Sequence, residues 1–375
     1  MKSTLHASLT ASAQGGLPKG PVLIMAGGTG GHIFPGLAAA DALRERGIEV
    51  RWLGAAGGLE TRLVPPHDIA IDTVPVGGLR GKGLATRLRA PFMLVRSIWC
   101  ALRIMRRLRP RAVLSMGGFV AGPGGVAARL TGTPLLVHEQ NRVPGFTNRT
   151  LARFARRVLV GFVDAFPADV QAQWVGNPVR ADIAALQAPA QRMTGRTGRA
   201  HLLVLGGSQG ARALNQRLPE ALGRIPAESR PEVLHQCGQR HLEAAREAYA
   251  KAGVEARVVP FIGDMAEAYA WADFAVCRAG ALTLAELCAA GLGALLVPFP
   301  FAVDDHQTRN AEAMRDVGAA MVVPERTLDA AMLSAQLRSL LDDRQRLVSM
   351  AVAARSLARP EAAQAIAAQC LEVTA

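Results

Sequence analysis

Val22-Leu23-Ile24-Met25-Ala26 runs into Gly27-Gly28-Thr29-Gly30-Gly31-His32, and an alanine-rich stretch from Ile33 continues to Arg46-Gly47. Five apolar residues without polar alternation suit a strand buried on both faces, as in a parallel sheet. A glycine turn and an apolar helix after such a strand open a doubly wound α/β unit. The unit returns at Leu202-Leu203-Val204-Leu205, Gly206-Gly207-Ser208-Gln209-Gly210 and a helix from Ala211 to Leu218. Further strands are predicted at Glu49 to Leu53, Ala112 to Ser115, Leu135 to Val137, Val158 to Val160, Ala256 to Val259, Phe274 to Cys277 and Leu295 to Val297, with helical stretches between them. Repeated βα alternation predicts parallel sheets covered by helices on both sides. The expected fold class is α/β, with two Rossmann-like parallel-sheet domains facing each other across a cleft.

The chain has 375 residues, enough for two domains of about 100–200 residues each. Pro178 biases Asn177 away from helix, so the first domain is expected over 21–178 and the second over 179–359. A break at Arg359-Pro360 precedes a final helix, Glu361 to Glu372, expected to return to the first domain as part of 360–375. Residues 1–20 lack the solid apolar block of a signal peptide and are expected to form a disordered tail. No uncharged apolar run free of Gly and Pro reaches the roughly 18 residues that span a bilayer, so a soluble or peripheral protein is expected.

A formal charge of +13 implies an anionic partner: nucleic acid, phospholipid headgroups or a phosphorylated substrate. Aromatic residues make up only 5%, little material for base stacking, so no nucleic-acid partner is expected. The five cysteines are scattered, without Cys-x-x-Cys or Cys/His clusters, and read as free thiols with no metal site.

Glycine turns before helices leave backbone N–H groups at the positive end of a helix dipole, a match for a diphosphate. Ser208 adds a hydroxyl donor to the second turn. The spacing is not that of a P-loop, and no acidic residue closes the strand after the first turn, which disfavours a dinucleotide site. Cys277-Arg278-Ala279-Gly280-Ala281-Leu282-Thr283-Leu284-Ala285-Glu286 reads as a strand end, a turn and a helix start. Its first amides suit a diphosphate, and Glu286, one turn in, suits a ribose; a plain helix cap with a surface glutamate is the alternative.

His32 begins a helix, whose N-terminus disfavours the protonated ring. It reads either as a general base or as a structural histidine bonded to a loop carbonyl. His138-Glu139-Gln140-Asn141 are polar residues after a buried strand, costly without partners, and are expected to line the cleft. Gly117 to Gly125 gives a third glycine-rich turn. Asp304-Asp305-His306-Gln307 lies beyond another strand end, but adjacent carboxylates aim poorly at one ion, so no metal is expected. Leu79 to Trp99 mixes Leu, Phe and Trp with Arg80, Lys82, Arg87, Arg89 and Arg96, and reads as a basic, apolar loop fit for an anionic leaflet, leading into a core-facing helical stretch from Ile98 to Met105.

Six motifs occur together in order: Gly27 to His32, Gly122 to Gly125, His138 to Asn141, Gly176 to Arg180, Gly206 to Ala211 and Ala279 to Glu286. In this the chain resembles the MurG family, the UDP-N-acetylglucosamine:lipid I N-acetylglucosaminyltransferases of peptidoglycan synthesis, from about Val22 to the final helix. The resemblance implies the B-type glycosyltransferase fold, inversion at the anomeric carbon and no cofactor or metal in the chemistry. It implies UDP-N-acetylglucosamine as donor and undecaprenyl-linked lipid I as acceptor, glycosylated on the muramoyl 4-hydroxyl to give lipid II. Carried over by position, His32 is the base with Glu139 as rival, and Thr29, Gly30, Gly31 and Asn141 line the sugar and acceptor side. Arg180, Ser208, Ile262, Ala281, Leu282, Thr283, Leu284, Ala285 and Glu286 hold UDP, and Gln307 meets the N-acetylglucosamine. The resemblance also implies a peripheral place on the cytoplasmic face of the bacterial inner membrane, reached through 79–99, and partners among cell-wall synthesis proteins. Competing readings are a UDP-sugar epimerase, a glycosyltransferase acting on diacylglycerol or a natural product, and a basic nucleic-acid-binding module.

Overall fold

The computed structural model describes residues 20–76, 84–207, 211–302 and 305–374, with side chains from residue 91 onward in the stretch that begins at 84. Ser208, the tail 1–19 and the start of the basic segment, including Arg80 and Lys82, lie outside the described residues.

Among the described residues, thirteen strands form two parallel sheets. The first holds β1 (Val22–Ala26), β2 (Val50–Ala55), β3 (Ile71–Val74), β4 (Ala112–Gly117), β5 (Leu135–Glu139), β6 (Arg157–Val160) and β7 (Ala172–Trp174), in the order β3-β2-β1-β4-β5-β6-β7. The second holds β8 (His201–Leu205), β9 (Glu232–Gln236), β10 (Arg257–Val259), β11 (Phe274–Cys277), β12 (Ala294–Leu296) and β13 (Ala320–Val322), in the order β10-β9-β8-β11-β12-β13. Each sheet reverses its winding at its first strand, between β1 and β4 and between β8 and β11. In open α/β sheets, ligands bind beyond the carboxyl ends of the strands at such a switch point. The glycine turns read from the sequence sit at these two places.

The absence of polar alternation in β1 now has a physical reason. Val22, Ile24 and Ala26 pack into one core while Leu23 and Met25 pack into another on the opposite face. The same division holds in β8, where Leu202 and Val204 face one core and Leu203 and Leu205 the other. Four short strands, β3, β7, β9 and β13, go beyond the sequence expectation. Three of them, β3, β7 and β13, are sheet edges and β9 adjoins one, where a few residues carry little periodic signal.

The final helix, Ala362–Glu372, packs Ala363, Ile366, Ala367 and Cys370 into the core of the first sheet, against the helix Gly30–Arg44. The segment expected as a basic loop is instead helical from Leu84 to Leu108. Ser97, Ala101 and Met105, four residues apart, turn inward, and the helix lies along the helix Ala121–Thr131.

Candidate active site

The first glycine turn is set by what surrounds it. Trp52, fully buried on β2, donates from Nε1 to the carbonyl of Ala26 at 2.9 Å and so fixes the end of β1. Gly118, at φ +88°, brings its backbone against the turn so closely that a Cβ there would stand 2.3 Å from the Gly27 carbonyl oxygen. Only glycine meets both the left-handed conformation and the close approach.

His32 lies in the first turn of its helix, half-buried at the cleft wall. Its Nδ1 is 3.2 Å from the Gly27 carbonyl oxygen and 3.3 Å from Thr29 Oγ1. A carbonyl can only accept, so Nδ1 carries the hydrogen and the neutral ring keeps its lone pair on Nε2. Burial pushes the imidazole below its ordinary pKa; the Glu139 charge and the Gly27 carbonyl oppose this, His306 from the other domain adds to it, and Glu60 opposes it. Both readings of His32 therefore meet in one residue: the bond to a loop carbonyl is what leaves Nε2 ready to accept a proton.

Period-two alternation splits the expected polar quartet. His138 and Glu139 belong to β5 itself and do not follow it. His138 and Gln140 do not line the cleft; they point into the protein and hold the crossing between the domains. His138 Nε2 donates to the Gly176 carbonyl at 2.9 Å, its Nδ1 accepts from Gln140 Nε2 at 3.0 Å, and Asn177 Nδ2 donates to the Gln140 carbonyl at 2.9 Å. Burial lowers the His138 pKa to about 4, in keeping with a neutral ring. Glu139 and Asn141 take the other side. Glu139 accepts from Asn141 N and Nδ2 at 2.9 and 3.1 Å on one oxygen, and from Gly145 N and Asn148 Nδ2 at 3.2 and 2.9 Å on the other. With four donors on its two oxygens, Glu139 organises the loop 139–148 and acts on His32 through its charge.

Across the cleft, the strand β11 ends in the turn 278–280 and the helix Ala281–Ala290. No side chain caps this helix, and its first hydrogen bond is Leu284 N to the Gly280 carbonyl. The amides of Ala281, Leu282 and Thr283 thus have no partner inside the helix. Leu284 is buried in the core beneath, with Ala285 packed at its edge. Glu286 accepts from the hydroxyl of buried Tyr269 at 2.9 Å. Burial raises its pKa above the usual carboxyl range, and Tyr269 and Arg180 act against that shift. Arg180, at the start of the helix Ala181–Ala184, lies 3.6 Å from Asp182, and its charge reaches Glu286.

Gln307 Oε1 accepts from Ala279 N at 3.2 Å and from Phe299 N at 2.9 Å, so its amide nitrogen is the group it can offer a ligand. Ile262 is buried in the loop after β10, beside the second glycine turn's support. That support is Gln236, whose Oε1 accepts from Gly207 N at 3.0 Å while Nε2 donates to the Gly207 and Pro260 carbonyls. Gln236, Tyr269, Asn148, Glu60 and Asn310 escaped sequence reasoning because each acts through backbone or neighbour contacts that single residues do not announce. Among the described residues, no group of three or more His, Cys, Asp or Glu is arranged to hold a metal ion.

The arrangement, two parallel sheets with a half-buried histidine at the switch point of one and an uncapped helix start at that of the other, matches known proteins over nearly the whole chain. Residues 22–160 match the glycosyltransferase family 28 N-terminal domain, and 201–366 match the glycosyltransferase family 28 C-terminal domain. The fold is the B-type glycosyltransferase fold, shared at 17% identity and a TM-score of 0.68 with the spinosyn forosaminyltransferase SpnP over 95% of this chain and 99% of that one. The protein is thus a glycosyltransferase.

The chain belongs to the MurG branch of glycosyltransferase family 28. A crystal structure of Acinetobacter baumannii MurG superimposes with a TM-score of 0.83 at 42% identity, over 94% of this chain and 99% of that one. The UDP-N-acetylglucosamine–N-acetylmuramyl-(pentapeptide) pyrophosphoryl-undecaprenol N-acetylglucosamine transferase of Marinobacter nauticus is 54% identical over 355 residues, 95% of this chain and 98% of that protein. The enzyme of the same name from Xanthomonas axonopodis pv. citri is 60% identical over 347 residues, 92% of this chain and 80% of that protein.

Proposed function

We propose that this enzyme transfers N-acetylglucosamine from UDP-N-acetylglucosamine to the 4-hydroxyl of the muramoyl sugar of lipid I, giving lipid II and UDP with inversion. The observation that carries the reading is the placement of His32: a neutral imidazole with its Nε2 lone pair at the cleft, facing a domain whose helix start at Ala281 offers unsatisfied amides. The near-complete alignment with transferases of that name supports the substrate pair.

In this reading His32 Nε2 takes the proton of the attacking hydroxyl, the new C1–O bond forms opposite the UDP, and the C1–phosphate oxygen bond breaks. The charge gathering on the diphosphate is met by the amides of Ala281, Leu282 and Thr283, fixed before reaction, and Ser208 is assigned as a further donor. Glu286 and Arg180 hold the ribose end, Ile262 offers backbone groups to uracil, and Gln307 donates to the sugar. Residues 21–178 with 360–375 form the acceptor side, and 179–359 the donor side. Glu139, saturated with donors, supports the charge on His32 in place of acting as base.

We also assign the enzyme a peripheral place on the cytoplasmic face of the inner membrane. No helix among the described residues is long and apolar enough to cross a membrane. On the helix Leu84–Leu108, Phe92, Val95, Arg96, Trp99, Arg103 and Arg106 recur at helical spacing, and all are exposed. Such a stripe suits an anionic leaflet.

The test is release of UDP and formation of the disaccharide from UDP-N-acetylglucosamine and a short-prenyl lipid I analogue. Turnover that requires both substrates supports the reading; UDP-sugar epimerisation without acceptor, or no turnover, would overturn it.

A further inference from the structure

Glu60 is fully buried at the start of the short helix Glu60–Leu63, directly beneath the first glycine turn. Its Oε2 accepts from Gly28 N at 3.1 Å and its Oε1 from Ala55 N at 2.7 Å, so one carboxylate joins the ends of β1 and β2. Three glycines leave room for it. A Cβ on Gly27 would stand 2.3 Å from Oε1, one on Gly58 2.5 Å from Oε1, and one on Gly54 2.7 Å from Cγ. No basic side chain forms an ion pair with it among the described residues. A buried carboxylate without a cation is costly unless something else requires it.

We infer that Glu60 is a positioning residue for His32: by holding the Gly27-Gly28 peptide through Gly28 N, it aims the Gly27 carbonyl at Nδ1 and thereby directs Nε2 to the acceptor. The inference rests on the transferase reading above. The Gly27 carbonyl that receives the Nδ1 hydrogen belongs to the same peptide unit whose N–H binds Glu60. The groups whose charges act on the His32 ring are Glu139 from β5, His306 from the helix His306–Asp316 and Glu60. Glu60 also favours the protonated ring, which strengthens the base.

Glu60→Gln is nearly isosteric, but its amide nitrogen cannot accept, so either Gly28 N or Ala55 N loses its acceptor. The experiment measures turnover across about pH 5 to 9 with UDP-N-acetylglucosamine and the lipid I analogue, wild type beside variant. The expected result is turnover lower by about tenfold or more, an acid limb moved to lower pH and an unchanged KM for the donor. An acid limb that stays in place, or turnover equal to wild type, overturns the inference. Nitrogen-15 NMR of His32 in the free protein gives an independent readout. A single Nδ1-protonated tautomer in wild type that becomes mixed in Glu60→Gln supports the inference, and an unaltered tautomer sinks it. If Glu60→Gln does not fold, Gly58→Ala carries the test, because its Cβ displaces the carboxylate without touching the cleft. Lower turnover and mixed tautomers are again expected, and wild-type values again overturn the inference. Absence of turnover in wild type would count against the transferase reading and leave the NMR result to judge Glu60 separately.

Discussion

Asn310 and Asn141 meet across the cleft, with Asn310 Nδ2 donating to Asn141 Oδ1 at 3.1 Å. Asn310 is wholly buried on the helix His306–Asp316, and its Oδ1 accepts from Arg142 N at 2.9 Å while Nδ2 also reaches the Ala279 carbonyl at 3.3 Å. One side chain therefore ties the loop organised by Glu139 to the turn that precedes the helix Ala281–Ala290. Around it, Arg142 bonds Asp164 in its own domain and lies 4.0 and 3.7 Å from Glu312 and Asp316 in the other. Those partly exposed pairs add little in water, whereas the buried amide has no solvent alternative.

Asn310→Ala is accordingly expected to leave Arg142 N and Asn141 Oδ1 without these partners. Each unsatisfied buried group costs about 1–3 kcal/mol, so denaturant unfolding should show a loss of that order. Turnover should fall roughly tenfold, since a misplaced wall forfeits orientation. A variant as stable and as active as wild type would show that the two walls do not depend on this contact.

As the base proposed above, His32 is expected to set the acid side of the pH profile. Its pKa lies below 6.5 because burial disfavours the charged ring, and a base works only when neutral. The rate in kcat/KM should therefore hold as pH falls past 6.5 and decline only through the lowered value. His32→Ala should reduce turnover by about 10²–10⁴-fold, the usual worth of general base catalysis, with donor affinity kept. An acid limb centred at or above 6.5 would contradict the buried, neutral ring.

What the sequence disclosed, and what it withheld, follows from the range of the contacts. Val22 to Ala26 announced a central strand because both faces are buried, and Leu202 to Leu205 did so for the same reason. Strand β7, with only Gln173 exposed between two half-buried neighbours, had no such contrast. At the site, Glu286 and Arg180 were grouped in advance, and the Arg180 charge acts on Glu286. Tyr269, whose hydroxyl meets Glu286, lies 17 residues away with nothing local to mark it. The quartet 138–141 misled for a definite reason: partners for His138 and Gln140 come from Gly176 and Asn177, across the sheet, so buried polar groups there needed no cleft.

Two buried histidines make the fold acid-sensitive. Burial lowers His138 to about 4 and His235 to about 3 from an ordinary 6.5. His235 is held between Tyr249 Oη at 3.0 Å and Asn215 Oδ1 at 3.1 Å. The unfolded chain binds protons more readily here, so the stabilisation is complete above pH 6.5 and is lost as pH falls toward the folded values. At pH 5 each site should cost about 2 kcal/mol relative to neutral pH. Urea unfolding at the two pH values should show it, and His235→Gln should remove roughly its share of the pH dependence. A stability independent of pH between 7 and 5 would mean that neither ring is kept neutral.

The exposed stripe on the helix Leu84–Leu108 makes a prediction about surfaces. Phe92 is 74% exposed and Trp99 55% exposed, with the Arg103 guanidinium 4.4 Å above the Trp99 ring. A guanidinium stacked on an indole gains about 0.5–1 kcal/mol at an exposed site, which keeps the ring turned outward with its charge beside it. Basic residues near an anionic leaflet add about 1 kcal/mol each, and the inserted rings add apolar burial. The purified protein should co-sediment with vesicles containing anionic phospholipid, less so at high salt, and hardly with neutral ones. Phe92→Ser with Trp99→Ser should weaken that binding at least about tenfold, while turnover on a water-soluble acceptor analogue stays at the wild-type level. Equal binding of wild type and the double variant would remove this helix face from the membrane contact.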